Sequence, residues 1–251
     1  KGMLSAYSDG KVFGEPFGEG PYRVVWLHGW ARQGHDFASS AIGLAALGTS
    51  SVALDLPGFG SSPAPTVAGG ARSYAQMIVP VLREIADEPL VLVGHSRGGC
   101  IATVIAATNP ELVKSLVITG SPLVRREVTA KSPLRYRLTR SLHSRGLVSP
   151  EKMETSRRRH GSSDYRNASG VMRDVFVMMV NESYELELAK VQAPIYMVWG
   201  ADDREVPVEV AKKAGVFVKS PHSLRVLDEV GHLVPLEAPS DLVQTVLEAL
   251  A

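Results

Sequence analysis

Six short runs of apolar, largely β-branched residues recur along the chain, and helix-length stretches separate them. The runs are Arg23–His28, Ser51–Asp55, Pro89–Gly94, Lys114–Thr119, Pro194–Trp199 and Ser223–Leu227. Most end at a glycine or at Pro57-Gly58. A strand that is apolar on both faces must be covered on both faces, and that arrangement belongs to parallel sheets flanked by helices. The intervening helices are expected at 36–47, 72–86, 97–108 (closed by Asn109-Pro110), 207–218 with Pro207 in the first turn, and 240–250 with Ser240 as N-cap. The fold class that follows is α/β, with a mostly parallel, doubly wound sheet.

The alternation stops between Pro122 and Lys190, where no strand-like run occurs. Three helices are expected there: one opened by Ser132-Pro133 with Leu134, Leu138 and Leu142 on one face and Gly146 at its end, one from Ser149-Pro150 to Gly161, and one beginning at Ser169. The reading is a core at 1–121 and 191–251 carrying an all-helical insertion at 122–190. The insertion holds 14 Lys+Arg against 8 Asp+Glu, a net of +6, and the remainder 13 against 18, a net of −5. Arg157-Arg158-Arg159 is its densest cluster; it reads either as a solvated helix face or as an attraction for an anionic substrate. Met172, Met178 and Met179 are expected to pack the interior of the insertion rather than line a pocket.

With a net charge of +1 over 251 residues, the chain is not a dedicated nucleic-acid binder. Cys100 is the single cysteine, which excludes a disulfide framework and a cysteine zinc cluster, and it reads as a small buried residue. The first ten residues lack a basic region followed by an apolar run, and no stretch of 18 apolar residues occurs. No signal peptide, no membrane span and a cytoplasmic location are therefore expected. No H-E-x-x-H, Walker or G-x-G-x-x-G pattern implies a metal or an organic cofactor.

The chemistry-bearing residues fall where strands end. Leu90–Val93 runs into Gly94-His95-Ser96-Arg97-Gly98-Gly99 and then a helix, which is G-x-S-x-G in strand–turn–helix context. Ser96 at such an apex is a candidate nucleophile, and a serine hydroxyl needs an adjacent base. His232, in a loop after the last strand, is that candidate; His28 and His95 read as structural neighbours. A carboxylate must orient the base, and Asp202 and Asp203 both follow the fifth run. The oxyanion of an acyl-transfer intermediate would be held by the backbone N–H groups of Arg97 and Trp30. The side chains of Trp30 and Arg97 are also expected to contact substrate.

Five pieces in this order resemble the α/β-hydrolase superfamily: His28-Gly29-Trp30, Asp55-Leu56-Pro57-Gly58-Phe59-Gly60-Ser61, Gly94–Gly99, Gly200–Pro207 and Gly231-His232. The pattern is similar to small esterases and to meta-cleavage-product hydrolases, and the His-Gly-Trp loop to pimeloyl-ester hydrolases. The resemblance implies that Asp203, three positions after the glycine, is the acid, and that 122–190 is a cap over the site. Arg97 departs from the Met, Leu, Gln or Phe that many relatives carry. The function implied is a serine hydrolase cleaving a carboxylic ester, or a related acyl bond, of a small molecule through an acyl-enzyme, with Ser96, His232 and Asp203 as its triad. A carbon–carbon bond hydrolase of meta-cleavage-type diketones with the same triad is one alternative; an arginine of the insertion pointing into the pocket would favour it. A ligand receptor with little turnover is another.

Overall fold

The computed structural model describes residues 2–125 and 134–251. Among the described residues, eight strands form one sheet in the order β1-β2-β4-β3-β5-β6-β7-β8. They are β1 (Ser5–Tyr7), β2 (Val12–Phe17), β3 (Tyr22–Leu27), β4 (Ser50–Asp55), β5 (Leu90–His95), β6 (Val113–Thr119), β7 (Ile195–Gly200) and β8 (His222–Leu227). The six sequence-predicted strands are β3 to β8, all mutually parallel. β1 and β2, which the sequence reading missed, add an antiparallel edge on β4. Gly14, Glu15 and Pro16 inside β2 break the apolar run that marks the other strands.

The helices that flank the sheet are α1 (Ala38–Ala46), α2 (Ala71–Ile85), α3 (Arg97–Thr108), α9 (Val208–Gly215) and, after β8, α10 (Val234–Glu237) and α11 (Pro239–Leu250). α1 begins at Ala38 rather than 36, α9 ends at Gly215 rather than 218, and two N-caps also differ from expectation. Pro207 stands at the N-cap of α9, and Ala238, not Ser240, at that of α11, because Pro239 takes the first helical position. Period-2 alternation distributes the strand side chains to two cores. Val25, Leu27, Leu90 and Leu92 face one, with α2, α3 and α9. Val24, Trp26, Val91 and Val93 face the other, with α1 and α11. Each fully buried Leu or Val among them contributes about 1.5–3 kcal/mol relative to exposure.

Residues 134–190 contain helices alone: α4 (Leu134–Ser144), α5 (Pro150–His160), α6 (Ser163–Asn167), α7 (Gly170–Asn181) and α8 (Glu185–Lys190). The expected helix opening at Ser132-Pro133 lies outside the described residues, as do the contacts of Leu134. Ser149 caps α5 by accepting from the Lys152 N–H, and Gly161 follows its last residue. In α7, Val175 and Met179 are buried, but Met178 is exposed, contrary to the packing expected of it. No described helix is long and apolar enough to cross a membrane.

Candidate active site

Only Ser96 separates the end of β5 from the start of α3, and its backbone lies at φ 52°, ψ −120°. A non-glycine residue at positive φ is strained and persists only where its surroundings impose it. The surroundings are close backbone contacts. A Cβ on Gly94 would fall 2.4 Å from Gly99 Cα, and one on Gly98 would fall 2.1 Å from the Leu27 carbonyl oxygen. The strand can therefore turn directly into the helix only with glycine at both positions. Arg97 begins α3, so its N–H has no intrahelical acceptor and faces the helix N-terminal end.

His232 lies between β8 and α10, and its Nδ1 is 2.8 Å from Asp203 Oδ2. Asp203 is 5% exposed, and its Oδ1 accepts the N–H groups of Glu205 and Val206 at 3.0 and 2.8 Å. Asp202 is exposed on the same turn, so burial and bonding distinguish the two aspartates. Gly120, at φ 57°, passes behind the pair; a Cβ there would come within 3.1 Å of the His232 ring and 3.3 Å of Asp203 Oδ2.

The other two motif histidines are braces, as expected. His95 donates from Nε2 to the His232 carbonyl at 2.9 Å. Burial, reinforced by His232 nearby, lowers its pKa to about 3, so it is neutral. His28 accepts the Leu56 N–H on Nε2 at 2.9 Å and donates from Nδ1 to the Gly29 carbonyl at 2.7 Å, which ties the loop after β3 to the end of β4. Burial lowers its pKa to about 4. Asp55, in the second motif, accepts the N–H groups of Gly34 and Ser61 at 2.8 and 2.9 Å and shapes that turn.

Ser96, His232, Trp30 and Arg97 border one cavity of about 760 Å³, with Asp203 behind His232. The helical segment contributes Ser162, Asp164, Phe176 and Val180 to its wall. The Trp30 ring lies 5.0 Å from Phe59 and 4.9 Å from Phe176, centroid to centroid. No hydrogen bond joins Ser96 Oγ to His232; His232 Nε2 faces Glu205 Oε2 at 3.3 Å instead. The Arg97 guanidinium donates to the Met179 carbonyl of α7 at 3.1 Å, so it bridges the serine turn to the helical segment while still lining the cavity. Among the described residues, no arginine of 134–190 lines this cavity. Nor is any group of three or more His, Cys, Asp or Glu placed to hold a metal ion.

Sequence reading missed Glu205 beside the His232 ring, Gly120 behind it and the Phe176–Val180 wall. Glu205 stands inside the Gly200–Pro207 motif, but nothing in the sequence places its carboxylate on His232. Phe176 and Val180 had helical spacing alone to mark them, which does not say which face meets a cavity.

Comparison with known proteins agrees with this fold. The model of the alpha/beta hydrolase fold family matches residues 22–239. An uncharacterized hydrolase of Bacillus subtilis is 29% identical over 211 residues, covering 75% of this chain and 75% of that protein. An esterase of Mycobacterium tuberculosis is 28% identical over 248 residues, covering 89% of this chain and 81% of that protein. Other relatives are longer, the chain spanning 64% of one and 49% of another. A solved meta-cleavage product hydrolase of Pseudomonas fluorescens superposes with a TM-score of 0.71 at 19% identity, over 99% of this chain and 97% of that one. The strand order, the strained serine between β5 and α3 and the match over 22–239 all lead to one family: the chain belongs to the alpha/beta hydrolase fold family and stands among the hydrolases of that fold.

Proposed function

We propose that the chain is a serine hydrolase that cleaves a carboxylic ester, or a related acyl bond, of a small molecule. The observation that carries this reading is Ser96, held at φ 52° on the rim of the cavity that His232 also lines, with His232 Nδ1 bonded to buried Asp203. In this mechanism the Nδ1–H bond to Asp203 leaves Nε2 as the base. The exposed Glu205 carboxylate moves aside, and Nε2 takes the Ser96 proton as Oγ attacks the carbonyl carbon. The oxyanion is stabilised by the N–H groups of Arg97 and Trp30. The imidazolium then protonates the departing alcohol, and water, deprotonated by Nε2, releases the acid from the acyl-enzyme. The esterase relative over 89% of the chain supports this reaction class. The helices of 122–190 act as a cap in this reading, closing the cavity through Phe176 and Val180.

The test is hydrolysis of p-nitrophenyl esters from acetate to laurate by wild type and Ser96→Ala. Wild-type turnover is expected, and the substitution is expected to lower kcat by about 10⁵–10⁶. Absence of turnover on every ester by folded wild-type protein would overturn the esterase reading.

A further inference from the structure

A second cavity, of about 330 Å³, lies among α4, α5, α6 and α7, and its wall includes Tyr136, Arg140, Arg157, Tyr165 and Asn181. It shares Ser162, Phe176 and Val180 with the cavity at Ser96, so the two adjoin along one face of α7. Its charges are not balanced locally. Glu154 of α5 already accepts the Tyr165 hydroxyl at 2.6 Å and pairs with Arg158 at 3.4 Å and Arg173 at 3.3 Å. Those partners hold its carboxyl below the usual range, the Tyr165 hydrogen bond foremost. Arg140 and Arg157 border the same cavity, and neither has an ion pair among the described residues. Both arginines are exposed, and no acidic side chain lines the cavity with them. Their planar forks suit the two oxygens of a carboxylate or a phosphate. Met153, Phe176 and Val177 supply apolar wall beside them.

We infer that this second cavity is a subsite for the anionic end of the substrate, a carboxylate or a phosphate, joined by an apolar chain to the acyl group that Ser96 attacks. The inference rests on the serine-hydrolase reading for the attack, but not for the binding. Arg140 and Arg157 clamp the anion, Phe176 and Val180 flank the chain, and the Trp30 ring packs, tilted, against Phe176 from the Ser96 side. The net of +6 on residues 122–190 draws such a substrate towards the cap.

The experiment pairs p-nitrophenyl half-esters of linear dicarboxylic acids with the neutral p-nitrophenyl esters of equal chain length. The readout is the ratio of the two kcat/KM values. Wild type is expected to favour the half-ester by about tenfold or more at one chain length, and Arg140→Gln/Arg157→Gln to bring that ratio close to one. The single variants, each expected to lower the ratio by about threefold, keep the test valid if the double variant does not fold. A wild-type ratio at or below one at every length, or a ratio the substitutions leave unchanged, would overturn the inference. Calorimetric titration of Ser96→Ala with free dicarboxylates and with alkyl phosphates separates the two anion chemistries and needs no turnover. Binding at one site that the arginine substitutions abolish supports the subsite even if no ester is hydrolysed, a result that would sink the esterase reading alone. No binding of either anion at millimolar concentration overturns the subsite.

Discussion

At Ser96 and its neighbours, the site depends on backbone geometry as much as on functional groups. Gly120 shows how narrow the tolerance is. It is the surface against which His232 and Asp203 rest, at a positive φ that alanine adopts at a cost. Gly120→Ala is expected to lower kcat on p-nitrophenyl acetate by about 10–100-fold, since small misplacements of a catalytic group cost that much. It is expected to cost about 1–2 kcal/mol in a urea melt. An unchanged kcat would mean that the pair does not depend on this support. Residue identity made Ser96 and His232 legible, because few patterns put Gly94-x-Ser96-x-Gly98 between a strand and a helix. The choice of Asp203 over Asp202 needed the family register, and burial explains it: only Asp203 is shielded and bonded to two backbone N–H groups.

The helix that matters most is α7, because it carries Phe176 and Val180 and is held at its C-terminal end by two arginines. Arg97 donates to the Met179 carbonyl at 3.1 Å and Arg125 to the Asn181 carbonyl at 2.7 Å. Terminal carbonyls lack intrahelical donors, and a cation there also meets the negative end of the helix dipole. Arg125→Leu removes the bond outside the cavity and Arg97→Leu the one inside it. Amide exchange in α7 is expected to quicken by about threefold to tenfold in the first and by tenfold or more in the second, in line with charge-assisted bonds of about 1–2 kcal/mol. Equal exchange in all three proteins would show that packing of Val175 and Met179 alone holds the helix. Helical periodicity marked α7 in the sequence, but not the partners of its terminus, since they come from residues 56 to 82 positions away. Strands β1 and β2 were illegible for a different reason: β1 is three residues long with none buried, and Gly14, Glu15 and Pro16 interrupt the apolar run of β2.

Over the whole molecule, two neutral buried histidines make stability depend on pH. His28 and His95 have folded pKa values of about 4 and about 3, against an ordinary 6.5. The unfolded chain therefore binds more protons than the folded one below about pH 6.5, and stability falls as pH drops towards those values. The slope approaches about 1.4 kcal/mol per pH unit for each histidine once the unfolded imidazoles are protonated. Urea midpoints measured from pH 7.5 to 5 are expected to be flat above about 7 and to fall steadily below 6. A midpoint that holds steady down to pH 5 would show that these imidazoles are hydrated. Among the features that position the site, the sequence by itself determined the parallel strands, the serine turn and the helical character of 134–190, because periodicity, β-branching and glycine spacing are local properties of the chain. Only the tertiary structure decided that Arg97 reaches α7, that Glu205 faces His232, and that two cavities share a wall of Phe176 and Val180. Those contacts join residues distant in the chain, and they follow from how layers pack rather than from any pattern within one element.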